Sequence, residues 1–132
     1  MKKELQEKLY EKYPKIFAQK DLPMSESALC WGCQCGDGWF DLIDTLCHDI
    51  QDYINKHKLE QVEVTTVKEK FGGLRFYIDK GFNDGLYNII QKAEDDSYTI
   101  CEHCGSEAEN QKIHGWMVTL CKSCINEYKE RK

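Results

Sequence analysis

Trp39-Phe-Asp-Leu-Ile-Asp-Thr-Leu-Cys-His-Asp-Ile-Gln-Asp-Tyr-Ile-Asn-Lys-His-Lys58 has the clearest apolar period in the chain. Trp39, Leu42, Ile43, Leu46, Cys47, Ile50, Tyr53 and Ile54 recur at i, i+3, i+4 and i+7, which lays one broad apolar stripe along a helix. The stripe needs partners, so this segment is read as the central core helix. Asp37 is placed to cap its start, and Lys56 and Lys58 suit the negative end of its dipole.

Moving outward toward the C-terminus, the period changes at residue 61. Val62, Val64 and Thr66 alternate with Glu63, Thr65 and Val67, and the β-branched density predicts a strand. Gly72-Gly73 is read as the turn, and Leu74-Arg-Phe-Tyr-Ile78 as the returning strand of a hairpin. Gly81 to Gly85 reads as a loop. Leu86, Ile89, Ile90 and Ala93 then mark a short helix ending in Glu94-Asp95-Asp96.

Beyond it, Cys101-Glu-His-Cys104 and Cys121-Lys-Ser-Cys124 are separated by sixteen residues. Two such pairs have the form of a tetrahedral zinc site, each pair a knuckle aiming two sulfurs at one point. Four thiolates leave no coordination position for water or substrate, so the expected ion is a single structural Zn2+. Lys112 to Leu120 reads as a hairpin turning near His114-Gly115, and Cys121 to Lys129 as a terminal helix. His103, inside the first knuckle, and His114, at the turn, are read without a metal role.

Toward the N-terminus, Cys30-Trp-Gly-Cys33-Gln-Cys35-Gly-Asp-Gly-Trp39 is too glycine-rich for regular structure. A second metal on Cys30, Cys33 and Cys35, with Cys47 or His48, lacks the paired-knuckle spacing. Free thiols are preferred there, with a Cys30–Cys33 redox couple as a further alternative. The amides of this glycine loop could bind an anion, but Asp37 as the cap competes for those same amides. Leu5, Leu9, Tyr13, Ile16 and Phe17 lie near helical spacing, and Pro14 should end that helix close to Tyr13.

The expected fold is therefore α+β. N-terminal helices and a β-hairpin pack on a central amphipathic helix, and a four-cysteine zinc ribbon follows. Residues 1–98 form the core domain, and 99–132 the ribbon packed on it.

The chain has 132 residues and a net charge of −5, spread unevenly. Residues 1–20 carry six lysines against three acids, and residues 21–65 nine acids against two lysines. No stretch is apolar enough to span a membrane, and no apolar run follows the basic start, so neither membrane association nor export is expected. Eight cysteines then fit a reducing cytosol, as metal ligands and free thiols rather than disulfides. No His-Glu-x-x-His, Gly-x-Ser-x-Gly, phosphate-loop or zinc-deaminase pattern occurs, and no enzymatic activity is expected. Basic and aromatic residues gather instead around the glycine turn. Asp37, Trp39, Lys68, Lys70, Phe71, Arg75 and Tyr77 form the candidate binding surface.

Three blocks stand in order: Cys30 to Trp39; Lys68-Glu-Lys-Phe-Gly-Gly-Leu-Arg-Phe-Tyr77; and Cys101-Glu-His-Cys-Gly105 with Gly115-Trp and Thr119-Leu-Cys121. In these blocks, over about residues 10–125, the chain resembles a group of small bacteriophage and prophage proteins. The resemblance implies a phage product acting in the bacterial cytoplasm, and it carries no reaction. Cys33 is usually not a cysteine in that group, which speaks further against a second metal site.

Three functions are set against one another. The first is a non-enzymatic module that binds a bacterial host protein, or a protein–nucleic acid complex, and blocks a defence nuclease or CRISPR component. The second is direct nucleic-acid binding through the ribbon and the basic hairpin. The third is a nucleotide or small-ligand site, or an enzyme, in a cleft between the Cys30–Trp39 loop and the Gly72-Gly73 turn.

Overall fold

The computed structural model describes residues 1–79 and 83–131. Its first helix, α1 (Lys3–Lys12), stops at Tyr13, whose N–H still reaches Leu9 O at 2.9 Å. Pro14 has no N–H to continue the ladder. Two short 3₁₀ turns, Ala18–Asp21 and Ala28–Trp31, carry the chain to β1 (Cys33–Gln34). This strand corrects the expectation that Cys30 to Trp39 lacks regular structure. It pairs in parallel with the strand after the central helix, through Cys33 opposite Val67 and Gln34 opposite Lys68.

The central helix, α2 (Phe40–His57), buries Ile43, Leu46, Cys47, Ile50 and Ile54, as its stripe demands. Its start differs from expectation. A 3₁₀ turn, Asp37–Trp39, precedes it, Trp39 takes the cap position, and no side chain caps the helix. Asp37 instead accepts a hydrogen bond from Lys2 N at 2.7 Å.

β2 (Val64–Lys70) and β3 (Gly73–Ile78) form the antiparallel hairpin, giving the sheet order β1-β2-β3. Register slips between Val64 and Thr66, so Val64 faces Ile78 whereas Thr66 faces Tyr77. That bulge shifts the period by one residue. Val67, not Thr66, therefore joins Val62 and Val64 in the core. The turn also moves by one. Phe71 and Gly72 are its central residues, with φ of 56° and 81°, and Gly73 pairs with Lys70 inside the ladder.

α3 (Asp84–Ser97) starts before Leu86 because Asn83 caps it, accepting from Gly85 N and Leu86 N. Of the loop expected at Gly81 to Gly85, Gly81 and Phe82 lie outside the described residues, as does the preceding Lys80. α3 packs on α2 and along the outer edge of β3. Ser97 Oγ accepts from Leu74 N at 2.8 Å and a Glu94 carboxylate oxygen from Phe76 N at 3.0 Å, so two edge amides are covered.

Leu9, Ile16, Phe17, Leu29, Trp39, the α2 stripe, the three valines, Leu74, Phe76 and Leu86 form one buried cluster. The C-terminal segment holds a separate hairpin, β4 (Glu109–Ile113) with β5 (Trp116–Leu120), turning at His114-Gly115, and then α4 (Lys122–Arg131). Its own cluster of buried residues is only Cys101, Ala108 and Cys124. So small a cluster gives the segment little core of its own, and a metal ion bound there would add folding energy. Lys132, the last residue of the expected ribbon, lies outside the described residues.

Candidate metal centre and the motifs seated on it

Cys101 and Cys104 flank a tight knuckle in which Gly105 N donates to Cys101 O at 2.9 Å, with Gly105 at φ 84°. Cys121 directly follows β5, and Cys124 lies in the first turn of α4. The two knuckles bring all four sulfurs within 4.8 Å of one another, and Cys104 and Cys121 Sγ stand 3.6 Å apart. That separation is far beyond a disulfide bond of about 2.05 Å. It is close to the ~3.8 Å between sulfurs placed about 2.3 Å from a central ion in a tetrahedron. The four cysteines can hold a metal ion, and an all-thiolate tetrahedron fits zinc.

The electrostatics point the same way. Ser106 draws the Cys104 thiol down to about 6, with its Oγ 3.3 Å from Cys104 Sγ. Burial, together with the neighbouring sulfurs, pushes Cys124 up. Four thiolates repel one another, so a cation is needed to hold all of them ionised together.

No other such group of three ligating side chains occurs among the described residues. Cys33, Cys35 and Cys47 are buried, whereas Cys30 is exposed. Burial pushes the Cys33 thiol up to about 12, and Cys35 and Cys47 are raised by the same cause. Thiols held protonated in this way behave as small hydrophobes and not as nucleophiles. His103 is exposed near Glu127, and the His114 ring lies 6.4 Å from Tyr128.

Both glycine motifs are seated on the cysteine segment. Gly38 N donates to Glu102 O at 2.8 Å, and Gly36 N to a Glu102 carboxylate oxygen at 2.8 Å. A Cβ on Gly38 would collide with Cys101 O and with the amides of Cys104 and Gly105. Trp39 is fully buried and its indole N–H donates to Ile100 O at 2.8 Å. It is a core residue and a tie to the knuckle, which removes it from the expected binding surface. At the hairpin tip, Thr119 Oγ1 donates to Gly72 O at 2.6 Å and Asn110 Nδ2 to Phe71 O at 3.2 Å. Both sides of the expected cleft are thus in contact with the C-terminal segment, the first with the knuckle and the second with β4–β5.

Five of the seven expected surface residues do come together. Register places Lys68 opposite Arg75, Thr66 opposite Tyr77, and Lys70 opposite Gly73 on the sheet face away from Val67, Leu74 and Phe76. Gln34 of β1 lies beside Lys68 on that face. Phe71 projects from the tip, 64% exposed, with Lys70 Nζ 5.5 Å from its ring centre, and Tyr77 is 45% exposed. Asp37 is half-buried and bound to Lys2, apart from this group. Glu102, Asn110 and Thr119 escaped the sequence reading, because nothing in their spacing signals a contact so distant along the chain.

Comparison with protein-family models, with curated proteins and with solved structures finds no match.

Proposed function

We propose that the chain is a zinc-stapled interaction module of bacteriophage type that works without catalysis. It binds a bacterial host protein, alone or with its nucleic acid, through the outer face of β1-β2-β3 and the hairpin tip, and so modulates that protein. The observation that carries this reading is Phe71. A large aromatic at φ 56° and 64% exposed stands where a two-residue hairpin turn favours Asn. Residues held in a costly conformation concentrate at sites of function. Lys70 lies beside its ring and Lys68 and Arg75 further along the same sheet face, and exposed aromatics with Arg are the residue types that dominate protein interfaces. The cations favour an acidic patch on the partner. The four-thiolate site supports a structural role for the ion, since its donor set is complete without substrate.

Capture from bacterial lysate tests the proposal, comparing the native chain with Phe71→Asn and with the pair Lys68→Glu and Arg75→Glu. A protein retained by the native chain and lost from both variants is the expected result. Phe71→Asn should meanwhile raise stability by about 1 kcal/mol as the turn relaxes. Retention equal across all three proteins would sink the reading.

Direct binding of single-stranded nucleic acid is the second reading, favoured by two exposed rings beside three cations on one face. A mobility shift at low salt that weakens on neutralising Lys68, Lys70 and Arg75 would select it over the first.

A further inference from the structure

A groove of about 340 Å³ opens between the edge of β3 and α3, on a different wall from the metal centre. Its volume is within the range of small-ligand sites. Ile78, Leu86 and Ile90 give it apolar walls, Tyr77 and Tyr87 stand at its lips, and Asp79 and Glu94 are its carboxylates, Asp79 being bonded to Glu63 N and to Gln19 Nε2. Tyr87 is 56% exposed, an unusual place for a large ring on a helix with an apolar face already buried.

Glu94 is the group that demands an explanation. One carboxylate oxygen accepts from Phe76 N; the other takes no hydrogen bond among the described residues. No cation among them lies within ion-pair distance of it. Arg75 is the nearest cation acting on it, but its guanidinium is turned to Leu74 O at 3.0 Å and Tyr98 Oη at 3.2 Å. Desolvation raises the carboxyl above its usual range, as expected for a charge without a close counter-ion. A half-buried carboxylate in a groove that two tyrosines and aliphatic side chains also line has a definite complement. Such a ligand has a cationic head, for charge and for the ring faces, on an apolar stem.

We propose that this groove binds an alkylammonium group with a stem of lysine length, its head on Glu94 and between Tyr77 and Tyr87. A free diamine and a lysine side chain share that chemistry. The site shares Tyr77 with the rim of the cationic sheet face, but its ligand has the opposite charge to the acidic partner that face would bind.

The test follows backbone amide shifts of Ile78, Asn83, Leu86, Tyr87 and Ile90 by NMR during titration of the full-length, zinc-loaded protein. The probes are 1,4-diaminobutane, Nα-acetyl-lysine methylamide and its neutral norleucine analogue, at constant ionic strength. Saturable shifts with at least one amine, and none with norleucine, are expected; which amine binds more tightly identifies the source. Glu94→Gln keeps an acceptor for Phe76 N and should weaken binding about tenfold, the loss of one charge-assisted contact. Tyr87→Ala, at an exposed position, should weaken it without altering the fold. Equal shifts with norleucine would reduce the groove to an apolar crevice and overturn the proposal. So would the absence of saturation with either amine, or unchanged affinity in both variants. If Glu94→Gln fails to fold, the norleucine comparison and Tyr87→Ala still decide.

Discussion

Gly38 shows how much a single missing Cβ can carry. The knuckle approaches it so closely that the atoms a methyl group would strike are backbone, Cys101 O and the amides of Cys104 and Gly105, and backbone yields little. Gly38→Ala should therefore separate the Asp37–Trp39 turn from the cysteine segment and cost about 2–3 kcal/mol, the range of overpacking. Denaturant unfolding of the zinc-loaded protein measures it. A loss below about 0.5 kcal/mol would mean that the contact is slack. Phe71 is the opposite case, a residue whose conformation opposes stability and whose exposure suits binding. In sequence Gly38 read only as a member of a glycine-rich block, and Phe71 as a surface residue beside the turn. Side-chain chemistry indicated that something was held there, and only the coordinates identified Gly38 as a close approach and Phe71 as the turn residue.

At the scale of elements, the body of the stripe from Ile43 to Ile54 was legible, since helix period and burial coincide there, whereas the start of the helix was not. The strands were legible in type but not in detail. The bulge between Val64 and Thr66 exchanges which residues face inward, and no local propensity announces it. β1 was invisible, because two residues have no period and are ordered only by pairing with β2. α3 adds a function its pattern did not suggest, covering the free edge of β3. Ser97 is fully buried and accepts from Leu74 N at 2.8 Å, so Ser97→Ala leaves a buried amide without an acceptor. A loss of about 1–3 kcal/mol is expected in urea denaturation. Amide exchange at Leu74 should quicken in parallel; unchanged exchange there would show that another group accepts the bond.

For the whole molecule, a metal ion held by the four cysteines would keep the C-terminal quarter, residues 99–131, in place. One zinc per chain is expected, with the thiols of Cys101, Cys104, Cys121 and Cys124 protected from alkylation until a chelator is added. Chelation should collapse hydrogen-exchange protection across residues 99–131, whose own buried cluster is small, while α2 retains most of its protection. Loss of protection in α2 on the same timescale would instead make the ion the keystone of one cooperative unit.

Composition and spacing by themselves determined the helix that organises the core, the existence of a hairpin, and the four thiols that meet at one point. These are local matters of period and ligand chemistry, encoded within a few residues. Tertiary structure alone decided that the Gly-Asp-Gly-Trp and Phe-Gly-Gly blocks are seats for the cysteine segment, that Trp39 belongs to the core stripe and not also to the binding surface, and that Lys68, Arg75 and Tyr77 share a face. It alone placed Glu94 in a groove beside Tyr77 and Tyr87. The reason is physical: such contacts join residues far apart in the chain, and a close approach between backbones leaves no periodic trace in the sequence of either partner.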